Sequence, residues 1–233
     1  MSLLMRSFNI LFLLVIATNA FCQLAVVNDA DGYVNIRSKA DINSSIDAKI
    51  QSRSVAYCFE PNGNWVNVDY THNGEILSGY IYKDRLKLIA NFKEIKSVEF
   101  TGQRLIFKND SLYVELLKSK FDSNKNKLAF DKNNGYKYLN RINGKIFFGT
   151  DGEIPKYQYK TITILIGRDT LKIPISDYND LYEPNFYSTR LNYDVNNETF
   201  YLSASNSDGA GGYEVVWVIE KRKYKERYIY YGF

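Results

Sequence analysis

"GYVNIRSKADINSS", residues 32–45, changes character halfway along. Val34 and Ile36 alternate with Asn35 and Arg37, the period of two that marks a half-buried strand. From Ser38 to Ser45 almost nothing is apolar, so the chain leaves the core there. The stretch predicts a strand that feeds a polar surface loop, with Val34 and Ile36 turned inward. Asn35 and Arg37 then face outward, placed to tether the loop backbone, whose polar groups must find partners.

The same grammar runs on either side. Short apolar stretches at 25–29, 54–60, 64–70, 78–82 and 86–89 read as strands. Asp31-Gly32, the run from Pro61 to Asn64, and His72-Asn73-Gly74 supply turn chemistry between them. In "WVNVDY", residues 65–70, Val66, Val68 and Tyr70 share one face, and Asn67 and Asp69 share the other. Five or six short strands with tight turns predict a small barrel over residues 25–90.

Residues 25–90 also resemble a family, the bacterial SH3 (SH3b) domain of secreted and cell-wall proteins. The matches are Asn35-Ile36-Arg37-Ser38, the polar loop 39–45, and the apolar step at Ile46 and Ile50. They continue through Val55-Ala56-Tyr57, Gly63-Asn64-Trp65-Val66-Asn67-Val68, Gly79-Tyr80-Ile81-Tyr82 and Leu86. Lys39-Ala40 departs from the Gly-Pro usual there. The resemblance implies a binding or targeting module, some members of which recognise cell-wall peptide. Its ligand-facing aromatics would be Tyr57, Trp65, Tyr80 and Tyr82. The competing reading is ordinary barrel packing or contact with the rest of the chain.

Composition sets the compartment. The chain has 233 residues, 20 of them Tyr and 14 Phe, with only 4 Pro, a balance that leans toward strands. Arg6 precedes an apolar run from Ile10 to Ala17, and small or polar residues follow, the three-part pattern of a secretory signal over residues 1–22. The run is shorter than the ~20 residues that a spanning helix needs, so no integral membrane segment is expected after cleavage. The protein is therefore expected to be exported, periplasmic or extracellular. Phe21, bulky and next to Cys22, argues against lipid attachment there. Removing Arg6 lowers the formal charge from +4 to +3, too mild for a nucleic-acid-binding face. Two cysteines, Cys22 and Cys58, exclude a disulfide framework.

Residues 91–100 read as a short charged linker, and residues 97–233 as one larger antiparallel β domain, a sandwich or open barrel of no recognised family. Strands are expected at 104–109, 111–121, 127–132, 144–149, 161–167, 170–175, 199–205, 213–221 and 225–232, with hairpin turns at Asn143-Gly144 and Arg168-Asp169. No stretch carries a helical period. The basic run 220–227 reads as an edge-strand device against aggregation. Two Gly-rich loops stand out, "FFGTDGEIPK" at 147–156 and "SNSDGAGGYE" at 205–214. Glycine lets a backbone approach a ligand closely, so Asp151 and Asp208 in these loops are candidate ligand contacts. Neither loop has the Gly-Lys-Ser/Thr of a phosphate loop, and Asn206, Asp208 and Glu214 lack EF-hand spacing.

One histidine, His72, leaves few catalytic arrangements. A Cys58–His72 dyad conflicts with a cysteine placed on a barrel strand. Asp151 and Glu153 with Asp208 or Glu214 would form a hydrolase pair if the loops converged. The leading expectation is a non-enzymatic binding protein for a protein, peptide or cell-wall ligand, without cofactor or metal. The alternatives are an inhibitor or immunity protein acting on a hydrolase, and a carboxylate-based hydrolase.

Overall fold

A computed structural model describes residues 23–231, so the signal expected at 1–22 lies outside the described residues. The structure is all-β, and its helical pieces are three-residue 3-10 turns. Among the described residues no helix is long and apolar enough to cross a membrane.

The first sheet comprises β1 (Gln23–Val27), β2 (Tyr33–Arg37), β3 (Ile46–Gln51), β4 (Val55–Asn62), β5 (Trp65–His72), β6 (Glu75–Tyr82) and β7 (Leu86–Leu88). They pair in the order β3-β2-β6-β5-β4-β1-β7 and curl into an antiparallel half-barrel. Its concave core holds Val34, Ile36, Val66, Val68 and Tyr70, the residues that the alternation picks out, together with Ile81. The apolar step at 46–50 is a full strand, in which Ala48 and Ile50 are buried and Ile46 is exposed.

The rest of the chain forms β8 (Lys93–Ile95), β9 (Ser97–Phe100), β10 (Arg104–Lys108), β11 (Leu112–Lys120), β12 (Leu128–Asn133), β13 (Tyr136–Ile142), β14 (Tyr157–Ile166), β15 (Asp169–Lys172), β16 (Thr189–Asp194), β17 (Thr199–Asn206), β18 (Tyr213–Glu220) and β19 (Lys223–Tyr231). Two five-stranded sheets result, β15-β14-β11-β10-β9 and β19-β18-β17-β16-β8. They share one core, in which Leu105, Val114, Leu116 and Ile164 meet Leu191, Leu202, Val215 and Trp217. This is a β-sandwich, with β12 and β13 as a separate hairpin.

The second sandwich sheet is covered on both faces. Tyr201, Val216, Val218, Tyr228 and Tyr230 turn away from the sandwich core and pack on Val26, Val55, Tyr57 and Ile89 of the half-barrel side. The molecule is therefore three layers deep. The Tyr230 hydroxyl, fully buried, donates to the Val55 carbonyl at 2.6 Å across this junction. The Tyr57 and Tyr230 rings stack at 6.3 Å. Strands at the junction lose their alternation: Ala25 to Val27, Val55 to Cys58 and Val215 to Ile219 are buried without a break. Continuous apolar runs are what burial on two faces demands.

Several sequence expectations are corrected. The linker at 91–100 is instead two strands, with β8 in the second sandwich sheet and β9 in the first. The strand at 144–149 is absent: Asn143-Gly144 turns the chain, but only isolated bridges follow, Ile142 to Lys145 and Phe148 to Leu181. Phe147 and Phe148 pack into two different clusters. The next turn is Gly167-Arg168, one residue earlier than expected, because Ile166 pairs with Asp169 and Gly167 has φ of 63°. β13 and β16 went unread. In β16 the buried positions include Thr189, Asn192 and Asp194, on both faces, so no clean apolar alternation marks it.

Cys58 is 1% exposed in the half-barrel core, and burial pushes its thiol up to about 12. That removes the thiolate a Cys58–His72 dyad needs. It also predicts an alkaline weakness. The native thiol keeps its proton to about pH 12, whereas an unperturbed thiol loses it near 9.0. The contribution is present below pH 9 and is lost as pH rises through this window. Denaturant melts should show falling stability between pH 9 and 12, part of which Cys58→Ser removes. Native-state labelling at pH 8 should be at least 100-fold slower than in denaturant. Equal labelling rates would contradict this placement.

Candidate functional site

The two Gly-rich loops converge. Together with the segment around Glu183 to Tyr187 and the end of β9, they line one open cleft of about 610 Å³. Asp151 and Asp208, some sixty positions apart in sequence, both line it, as does Glu153. Asp151, Glu153 and Asp208 form no ion pair among the described residues.

Close backbone contacts hold the loops together. Gly149 has φ of 118° and lies against the Tyr182 backbone; an added Cβ would come within 2.7 Å of the Tyr182 carbonyl carbon. Gly211 lies on Thr150, where a Cβ would approach backbone atoms at 2.8 and 2.9 Å. Only glycine fits at either place. The Ser207 hydroxyl donates to the Gly149 carbonyl at 2.8 Å, directly from one loop to the other. The Thr150 hydroxyl closes the first loop by donating to the Glu153 carbonyl at 2.7 Å. Beneath them Asn206 is 1% exposed: its Oδ1 accepts from the Asn185 N–H at 2.7 Å, and its Nδ2 donates to the Tyr159 hydroxyl at 3.1 Å. Glu183 and Ser207 are non-glycine residues with φ of 50° and 60° on this rim, the kind of local strain that gathers at ligand sites.

The cleft also contains residues that the sequence reading missed. Phe100 and Tyr187 meet edge to face at 4.4 Å, and Tyr187 is 78% exposed. Lys118 lies half-buried in the lining. Burial lowers its pKa from the usual lysine value, opposed by the Glu183 charge. Its Nζ donates to the Pro184 carbonyl at 3.3 Å and stands 5.1 and 5.3 Å from the Tyr157 and Phe186 ring centroids. A signal for Lys118 was present. It continues the inward set Leu112, Val114 and Leu116 of β11, an odd place for a lysine. For Phe100 and Tyr187 no sequence signal existed.

The aromatics singled out on the half-barrel divide. Tyr57 is corrected: it is 3% exposed and lies between layers, because β4 is covered on both faces. Trp65 and Tyr82 are cross-strand partners on the outer face, with ring centroids 5.2 Å apart. Tyr80, two residues before Tyr82, pairs with Asn67 and Arg37. Arg37 donates from Nη1 to the Ser44 carbonyl at 2.7 Å, tethering the loop as expected. Asn35 differs, since its Oδ1 is buried without a hydrogen-bond partner. Glu214 is not in the cleft lining, and burial holds its carboxyl above the usual range. Among the described residues no group of three His, Cys, Asp or Glu side chains is arranged to hold a metal ion.

No protein-family model matches the chain, no curated protein matches it, and no solved structure matches its fold.

Proposed function

We propose that the chain is an exported, non-enzymatic binding protein that takes a short peptide, from the cell wall or an envelope protein, in the cleft between its two Gly-rich loops. The observation that carries this reading is the convergence of the loops on one cavity edged by unpaired carboxylates and an exposed aromatic pair. The volume lies within the range of built ligand sites, about 300–1,000 Å³. Aromatic faces supply apolar contact area, and carboxylates orient a cationic group. His72 and Cys58 belong to the half-barrel, outside the cleft lining, so catalysis in the cleft would have to rest on the carboxylates Asp151, Glu153 and Asp208. The half-barrel, read as an SH3b module, would add a second contact through Trp65, Tyr80 and Tyr82.

The test is sedimentation of residues 23–233 with purified peptidoglycan, beside a cross-linked pull-down from an envelope fraction. The double variant Asp151→Asn/Asp208→Asn should lose at least tenfold in binding. Its stability should stay within about 0.5 kcal/mol of the parent, since both residues are exposed and unpaired. Unchanged binding by the variant would move the site elsewhere. A single enzyme recovered in stoichiometric amount, with no wall binding, would favour an inhibitor.

A further inference from the structure

Resting on the peptide reading above, we infer that the cleft holds the C-terminal end of its peptide, with the terminal carboxylate bound by Lys118. Three observations lead there. First, Lys118 is a half-buried cation with no carboxylate within 4.0 Å among the described residues. Its neighbour Glu183, whose charge reaches Lys118, turns its Oε1 to the backbone N–H groups of Lys156 and Tyr157 instead. Second, an ammonium offers three donors, and only one has a partner, the Pro184 carbonyl at 3.3 Å. The Tyr157 and Phe186 rings steady the charge without using a donor. Third, Lys118 is part of the lining of the open cleft. A partly desolvated cation with free donors, held in place beside an open cleft, has room for an anion in direct hydrogen-bond contact.

The rest of the lining fits the other parts of such a ligand. Asp151, Glu153 and Asp208 sit on the loops, where they would meet an amino terminus or a basic side chain. Phe100 and Tyr187 offer a ring surface to an apolar side chain between the two charges. A cavity of about 610 Å³ admits a few residues, not a folded domain. The ligand class is therefore a short peptide end, negative at the terminus and positive farther along.

A mixed-sequence tetrapeptide library, synthesised once with free carboxylates and once as C-terminal amides, tests this over immobilised residues 23–233. Retention should be at least tenfold greater for the acid form. Lys118→Met, which keeps the apolar stem and removes the charge, should abolish that preference, and Lys118→Arg should preserve most of it. Thermal unfolding of each variant checks that it folds, and the acid-to-amide comparison on the parent needs no variant. Equal retention of the two forms overturns the carboxylate assignment and leaves the peptide reading standing. Retention of neither form overturns both.

Discussion

Replacing Trp217 by Ala is expected to destabilise the chain by about 3–5 kcal/mol, a large share of the 5–15 kcal/mol typical of a folded protein. Trp217 is among the largest fully buried side chains and sits in the sandwich core. Its ring meets Tyr159 edge to face at 5.5 Å. Its Nε1 donates to the Asp177 carbonyl at 2.9 Å and so pins the 3-10 turn Ile175–Asp177 over the core. The Ala variant leaves a cavity and an unpaired carbonyl together, and the two penalties add. Trp217→Phe keeps most of the volume and should cost less than half as much. Urea melts measure both. A loss under about 1 kcal/mol for Trp217→Ala would show that the core does not depend on this ring.

Gly149→Ala should cost about 3 kcal/mol and reduce peptide binding in the same variant. A φ of 118° is barely open to any residue with a Cβ, and holding one there costs on the order of 1–3 kcal/mol. The clash with Tyr182 adds overpacking of similar size. The Tyr182 backbone cannot easily give way. It donates to the Phe148 carbonyl at 2.9 Å, and its own carbonyl accepts from the buried Tyr213 hydroxyl at 2.9 Å. Displacing this segment moves the first loop off Ser207 and opens the cleft. Stability from denaturant melts and binding from peptidoglycan sedimentation should fall together. Loss of stability with full binding would separate the loop from the ligand site.

Much of the fold could be read from local pattern. Val34 and Ile36, and Val66, Val68 and Tyr70, take the core positions that their alternation predicts. Beyond the strand expected at 127–132, its hairpin partner β13 was legible too: Asn134-Gly135 supplies the two positive-φ residues of a two-residue turn, φ 48° and 86°. β16 was not legible, because its buried Asn192 and Asp194 are polar. Asn192 donates to the Phe92 carbonyl at 3.3 Å, a partner one hundred residues away. Of the site, both loops and both aspartates could be named from composition. That the loops meet could not, since Gly211 on Thr150 is a contact between distant segments.

Local pattern suffices for the all-β class, for where most strands run and for which side chains face inward. Those properties depend on neighbours one or two residues away. Packing between distant segments covers the second sandwich sheet on both faces, which buries Tyr57 and removes it from any ligand surface. The same long-range packing brings Lys118, Asp151 and Asp208 to one cleft. A strand's face is set by its own alternation, whereas what covers that face is set by another strand's apolar surface, from a part of the chain that no local pattern reaches.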